Sequence, residues 1–254
     1  MIVITGAAGF IGSHLAEGLA EKGFRDLVLV DDFSVPEKKA NWSELIYKEL
    51  VHRDVFFDWL QQHHQQVQYV FHLGARTNTL EQDEEVLNRL NFEYSKHVWE
   101  HCVRFGLPLC YASSAATYGD GSQGFDDDLS RIHQLKPLNP YGWSKHRFDL
   151  WAIEQNRKPV QWVGLKFFNV YGNREKHKGR MASVVYHAYQ QIASTQELKL
   201  FKSYRKEVLD GEQKRDFVFV KDLVIMMINI MLDRKITGIF NAGTGCARSF
   251  NELS

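Results

Sequence analysis

The chain opens with Met1-Ile-Val-Ile-Thr5 and runs directly into Gly6-Ala-Ala-Gly9-Phe-Ile-Gly12, a β-branched strand feeding a glycine-rich turn at the head of a helix. No other segment constrains the fold as much. In such a strand-turn-helix unit Gly6 permits the sharp turn, Gly9 lets the backbone approach a pyrophosphate, and Gly12 lets the helix pack closely on the strand, while the helix N-terminus offers N–H groups and its dipole to the anion. The surroundings agree with this reading. An amphipathic helix is predicted over roughly 10–23, and a second apolar strand, Leu27-Val-Leu-Val30, ends in Asp31-Asp32, the acidic position expected about twenty residues on to bond the adenosine ribose.

Further along, Val67-Gln-Tyr-Val-Phe-His72, Pro108-Leu-Cys-Tyr-Ala112 and Val160-Gln-Trp-Val-Gly-Leu-Lys166 read as buried strands, separated by helical stretches near 54–64, 85–105 and 141–156. That alternation predicts an α/β fold, a Rossmann-type doubly wound parallel sheet with right-handed crossovers. After Gly172 the rhythm changes. A helix near 181–194, a short strand Leu198-Lys-Leu-Phe201, a charged loop from Lys202 to Lys214 and the run Asp216-Phe-Val-Phe-Val220 read as a smaller, irregular region. The expected division is a dinucleotide-binding domain over 1–170, to which 216–245 return elements, and a substrate-binding region made of 171–215 and 246–254. Ser249-Phe-Asn-Glu252 has the capping-box pattern of a new helix, yet the chain stops two residues later. A helix start without a body is unstable alone, so this region is expected to be shortened at its C-terminal end.

Bulk properties exclude several classes. Lys plus Arg equals Asp plus Glu at 31 each in 254 residues, so no basic field argues for nucleic acid. Three cysteines, Cys102, Cys110 and Cys246, show neither metal spacing nor an even count, and a reducing cytoplasm is the expected compartment. No signal-like start and no apolar run of about eighteen residues argue for a membrane. The His63-His64 doublet among glutamines reads as a solvated helix end, and no metal site is expected.

Asn139-Pro-Tyr-Gly-Trp-Ser-Lys145 places Tyr141 and Lys145 on one face of a helix that starts there. A phenol with a pKa of about 10 is a poor base at neutral pH, and a nearby positive charge favours its phenolate. With a nucleotide-binding turn at the other end of the domain, this pair points to redox chemistry on an alcohol.

Gly6-x-x-Gly9-x-x-Gly12, Ala112-Ser-Ser-Ala-Ala-Thr-Tyr-Gly119, Tyr141-x-x-x-Lys145 and Phe217-Val-Phe-Val-Lys-Asp222 together resemble the extended short-chain dehydrogenase/reductases that modify nucleotide sugars, over essentially the whole chain. Within that family the run from Phe167 to Ser183, with His177-Lys178-Gly179 and Met181-Ala-Ser-Val184, is similar to the branch that epimerises ADP-heptose at its sixth carbon for the lipopolysaccharide inner core. The resemblance implies that Tyr141 and Lys178 serve two orientations of a transient aldehyde. It also implies that Lys145 lowers the tyrosine pKa and holds the nicotinamide ribose, and that Ser114 bonds the reacting oxygen. Ser113 and Thr117, nearby hydroxyls, read as structural.

Asp31 alone would favour NAD. Cations at Lys38, Lys39 and Arg53 can neutralise a 2′-phosphate, and in the resembled family residues placed like Lys38 and Arg53 do so, so NADP is the expected cofactor. Contacts to it are expected from Gly6, Gly9, Phe10, Ile11, Gly12, Asp31, Asp32, Leu73, Gly74, Ala75, Arg76, Thr77, Lys145, Val170 and Lys178. An ADP-sugar needs cations, an aromatic face and small polar groups, and Ser114, Asn169, Arg180, His187, Phe201, Lys202, Ser203 and Arg215 are expected to provide them. Homo-oligomers are implied by the resemblance. This chain departs from the family pattern at Asn173, Arg180, Leu90-Asn91 and the long loop Ser203–Gln213. Other nucleotide-sugar epimerases or dehydratases, and a non-catalytic dinucleotide sensor, are the alternatives. A dehydratase would carry an Asp-Glu pair after Thr117, where this chain has Tyr118-Gly119.

Overall fold

The computed structural model describes residues 1–200, 202–204 and 206–253. Its first half runs Ile2–Thr5 (β1), Phe10–Glu21 (α1), Leu27–Asp31 (β2), Lys39–Trp42 (α2), Glu49–His52 (β3), Phe56–His63 (α3), Tyr69–His72 (β4), Glu84–Leu87 (α4), Tyr94–Phe105 (α5) and Leu109–Ser114 (β5). The second half runs Pro140–Glu154 (α6), Trp162–Phe167 (β6), Asn169–Tyr171 (β7), Val184–Thr195 (α7), Lys214–Phe219 (β8), Val220–Leu232 (α8), Gly238–Ala242 (β9), Ala247–Ser249 (β10) and Phe250–Leu253 (α9).

Seven strands form one parallel sheet in the order β3-β2-β1-β4-β5-β6-β9. β1, β2 and β4 are buried along their whole length, so alternate side chains divide between two cores. Val3, Val28, Val30 and Val70 join one core with Phe56, Trp99 and Phe148 from α3, α5 and α6. Ile2, Ile4, Leu27, Leu29, Tyr69 and Phe71 join the other with Leu15, Leu19, Val224 and Met227 from α1 and α8. This is the doubly wound arrangement expected from the strand-helix alternation. Functional residues are accordingly expected at the carboxyl edge of the strands.

A smaller sheet, in the order β10-β8-β7, stands beside the main one. β8 pairs parallel with β7 and antiparallel with β10. Residues 238–242 supply the seventh strand of the large sheet, whereas 214–219 belong to the small one. No strand forms over 198–200, and Phe201 lies outside the described residues. A strand needs a neighbour, and the small sheet is built from β7, β8 and β10 alone. At the far end the capping box does form. Glu252 Oε2 accepts the Ser249 N–H at 2.7 Å, and Ser249 Oγ accepts the Glu252 N–H at 3.1 Å.

Between α4 and α5 the chain makes a π turn over Asn88–Glu93 within what the sequence reads as one helix. Such turns occur mostly as isolated bulges and often at functional sites.

Candidate active site

The glycine turn is shaped by contact as much as by dihedral freedom. Gly6 adopts φ +70°, and a Cβ there would lie 2.7 Å from the Gly74 nitrogen on the loop after β4. A Cβ on Gly12 would collide with the carbonyl oxygen of Gly6, so the third glycine closes the turn on itself. α1 starts at Gly9 with no side-chain cap and no acidic residue in its first turn. Its N-terminal amides and dipole are thereby left to an anion, which is the fit a dinucleotide pyrophosphate requires. Phe10 is buried and Ile11 packs on the core behind the turn.

At the end of β2, buried Asp31 is engaged on both oxygens. Oδ2 accepts the Ala8 N–H at 2.9 Å, and Oδ1 accepts from Asp32 N–H at 2.7 Å and Lys38 Nζ at 2.9 Å. Asp32 accepts two hydrogen bonds from Ser34, which hold its carboxyl below the usual range, and faces Arg53 at 3.5 Å. Lys38 and Arg53 therefore each stand beside one of two adjacent carboxylates at the end of β2.

After β4, Leu73 packs on the core, Gly74 donates to Thr5 Oγ1 at 3.1 Å, Ala75 is partly buried, Arg76 pairs with Glu81 at 2.9 Å, and Thr77 is exposed. A buried chain of hydrogen bonds leads from here to the Tyr141 helix. Thr5 Oγ1 lies 2.7 Å from His72 Nδ1, His72 Nε2 lies 2.9 Å from Ser95 Oγ, and Ser95 donates to the Asn91 carbonyl at 2.5 Å. Because the Ser95 proton is committed to Asn91, His72 must donate through Nε2 and accept the Thr5 hydroxyl proton at Nδ1. Burial, reinforced by Lys145, lowers the His72 pKa to about 3, which keeps this imidazole neutral. From the π turn, Asn91 Nδ2 donates to Ser144 Oγ at 2.9 Å, and Ser144 donates to the Tyr141 carbonyl at 2.7 Å.

α6 begins with Asn139 as N-cap, its side chain accepting the Gly142 N–H at 2.8 Å, and Pro140 in the first turn. That start places Tyr141 at the carboxyl end of β5, beside Ser114. Burial raises the phenol pKa above its usual value, and the Ser114 side chain offsets part of the rise. Lys145, 5% exposed, donates to the Ala112 carbonyl at 2.9 Å, and burial lowers its pKa to about 8 against the opposing pull of Asp149. The lowering of Tyr141 expected from Lys145 is not found: desolvation raises the phenol, and Ser114 is the opposing influence. Ser114 also accepts the Ala116 N–H at 3.1 Å, capping the short 3₁₀ turn that follows.

Ser113 and Thr117 belong to a buried cluster beneath this site. Asp149 accepts from Ser113 at 2.6 Å, Tyr111 at 3.1 Å and Lys166 at 3.0 Å, and Lys166 also donates to Thr117 at 2.7 Å. Sequence reading missed Asp149 and Lys166. The signal was a carboxylate one helical turn beyond Lys145 facing a lysine in an otherwise apolar strand.

The segment after β7 folds against the glycine turn. His14 Nε2 lies 3.2 Å from the Asn173 carbonyl, and Arg174 reaches Glu17 at 2.6 Å. Buried Asn41 Nδ2 lies 3.1 Å from the Ala8 carbonyl and 3.0 Å from His177 Nδ1. Lys178 Nζ lies 3.2 Å from Glu175 Oε2 and 5.1 Å from the centre of the Phe10 ring. Lys178 is therefore anchored over the turn. Glu175, fully buried, was also missed, since nothing in its charged local sequence announces burial.

Val170 is partly buried in β7 and Asn169 exposed. Arg180 and Lys202 are exposed, His187 lies half-buried in the first turns of α7, and Ser203 N–H donates to Asp210 at 2.6 Å. Arg215 stands directly opposite Arg248 across the β8–β10 pair. Like charges so placed repel one another, and Glu252, 3.5 Å from Arg248, offsets part of that repulsion. No cluster of metal-ligating side chains occurs among the described residues, and no helix among them is long and apolar enough to cross a membrane.

Residues 2–243 match the model of the NAD dependent epimerase/dehydratase family. The ADP-L-glycero-D-manno-heptose-6-epimerase of Fusobacterium nucleatum is 45% identical over all of this chain and 78% of its own length. The enzyme of the same name from Nitratidesulfovibrio vulgaris is also 45% identical, over all of this chain and 79% of its own. Among solved structures, the Helicobacter pylori ADP-L-glycero-D-manno-heptose-6-epimerase superposes with a TM-score of 0.84 at 29% identity, covering 99% of this chain and 79% of that one. MoeE5, solved in complex with UDP-glucose and NAD, gives 0.74 at 28% identity, with the same coverage. The glycine turn, the Ser114–Tyr141–Lys145 group and these likenesses converge: the chain belongs to the NAD dependent epimerase/dehydratase family, on the branch of the ADP-L-glycero-D-manno-heptose-6-epimerases.

Proposed function

We propose that this chain interconverts ADP-D-glycero-D-manno-heptose and ADP-L-glycero-D-manno-heptose by transient oxidation at the sixth carbon, with a bound nicotinamide dinucleotide. The observation that carries the reading is a pair of candidate acid/base groups placed by the fold, Tyr141 beside Ser114 at the end of β5 and Lys178 on Glu175 over the glycine turn.

Inversion of an unactivated carbinol needs its hydride removed and returned to the opposite face, and the nicotinamide supplies that exchange when bound. The hydroxyl proton leaves with the first hydride transfer and returns with the second, so no net oxidation results. In our reading Tyr141 takes or gives that proton in one orientation of the aldehyde and Lys178 in the other. Ser114, beside Tyr141, orients the reacting oxygen, and Lys145 on the adjacent turn of α6 holds the ribose side of the cofactor.

NADP is proposed over NAD on the strength of Lys38 and Arg53, two cations gathered at the adenosine end. For the ADP moiety, Arg215, His187, Asn169, Arg180, Lys202 and Ser203 supply cations and polar groups around the small sheet. Self-association belongs to the same reading, and light scattering tests it.

The direct experiment incubates the purified protein with ADP-D-glycero-D-manno-heptose, follows the two epimers by proton NMR, and weighs the dinucleotide released on denaturation. Conversion with NADP released supports the whole reading. Cofactor-loaded protein that leaves the sixth carbon uninverted overturns it.

A further inference from the structure

Glu175 is the one carboxylate in the segment after β7 that is withdrawn completely from solvent, and its surroundings explain why it can be. Oε1 accepts the Ser183 hydroxyl at 2.6 Å and the Gly172 N–H at 3.2 Å; Oε2 accepts the Ser183 N–H at 2.7 Å and the Lys178 ammonium at 3.2 Å. A carboxylate has about four acceptor positions, and here each is used. The three donors other than Lys178 are neutral and belong to the end of β7 and the start of α7. Ser183 in turn caps α7 by accepting the Tyr186 N–H at 3.1 Å. The carboxylate is therefore fixed by the fold before Lys178 is considered.

Lys178 then has two anchors, this carboxylate and the face of Phe10 on the glycine turn. Its backbone N–H also bonds the Glu175 carbonyl at 2.8 Å. The other charged or titratable groups near it are accounted for. His177 is turned to Asn41 and lies near Lys38 and Asp31, and Arg174 is tied to Glu17. Glu175 is the only acid in ion-pair contact with Lys178 among the described residues.

We propose that Glu175 is a positioning residue for Lys178: it aims the ammonium over the glycine turn, so that Lys178 meets the aldehyde oriented as the proton donor. This rests on the reading of Lys178 as one of the two acid/base groups. Glu175 itself touches no reacting atom.

The test compares the parent, Glu175→Gln, Glu175→Asp and Lys178→Met in two assays, epimerisation and dismutation of an ADP-heptose analogue bearing an aldehyde at the sixth carbon. Glu175→Gln is expected to slow epimerisation by about a hundredfold with KM little changed, because the ammonium has lost the charged partner that aims it. Dismutation, which Tyr141 serves, stays near the parent rate. Glu175→Asp, which keeps the charge, restores part of the epimerisation rate. If Glu175→Gln does not fold, as melting and cofactor content would show, Glu175→Asp is compared with the parent, where a loss of epimerisation with unchanged dismutation supports the proposal. Equal loss in both assays means that Glu175 only holds the loop together and overturns it. Failure of the underlying reading looks different: Lys178→Met then epimerises at the parent rate.

Discussion

Lys38 Nζ sits 2.9 Å from Asp31 Oδ1 while the other oxygen of the same carboxylate accepts the Ala8 N–H of the glycine turn. In the proposed NADP reading, the carboxylate that would repel a 2′-phosphate is also the one that holds a cation beside it. Arg53 beside Asp32 repeats the arrangement one residue on.

Charge reversal at both cations, Lys38→Glu with Arg53→Glu, is expected to weaken NADP by about a hundredfold, two charge-assisted contacts at roughly 1.5 kcal/mol each, and NAD far less. Titration of both cofactors into stripped protein checks this. Equal losses would show that neither side chain meets the phosphate.

Tyr141→Phe and Lys178→Met should each abolish epimerisation, since inversion needs both aldehyde orientations served. Each should retain dismutation of a sixth-carbon aldehyde analogue, because hydride transfer on one face needs only the acid on that face. The alcohol and acid, formed in equal amounts as one aldehyde is oxidised for each one reduced, measure the retained hydride transfer in each variant. Parent-rate epimerisation by Lys178→Met would leave a mechanism centred on Tyr141 alone.

The buried Asp149–Lys166 pair, 3.0 Å apart, also carries Ser113, Tyr111 and Thr117. Asp149→Asn should destabilise the protein by about 3–5 kcal/mol in urea, because it strands a buried ammonium. Asp149→Leu combined with Lys166→Met should recover much of that loss. A single-site cost below about 1 kcal/mol would mean that water reaches the pair.

Acid should destabilise the fold through imidazoles held neutral. Burial lowers His72 to about 3 and His146 to about 4, below the usual value of about 6.5. In that window the unfolded chain binds protons that the folded one refuses, so stability rises with pH and is lost as pH falls from about 6.5. His146→Leu should remove about 2 kcal/mol of the loss between neutrality and pH 5. Identical pH dependence of melting in parent and variant would show that His146 takes up its proton while folded.

Features set by neighbours in sequence were legible before the fold was known. β1, its glycine turn, α1 and β2 follow from contiguous residues, as does the Asn139-Pro140 helix start that delivers Tyr141. Contacts between distant segments were not. β3 alternates too briefly to be read alone and exists because β2 offers an edge to pair with, whereas Leu198–Leu200 has strand-like alternation and no edge to join. Lys145 beside Tyr141 suggested a lowered phenol; burial, which sequence does not display, raises it. Glu175 sits among Arg174, Lys176, His177 and Lys178 and reads as solvated, yet the folded chain closes over it.

The π turn at Asn88–Glu93 has a consequence for how this chain can change over evolution. One residue more than an α-helical turn would hold puts α4 and α5 out of phase, and Asn91, at the slip, binds Arg76 N–H and carbonyl as well as Ser144. Deleting any one residue there would restore an unbroken helix and rotate one half against the other by about 100°. Asn91 would then lose the cofactor-side loop and the Tyr141 helix in a single step. Substitutions can accumulate around the turn, but its length is locked.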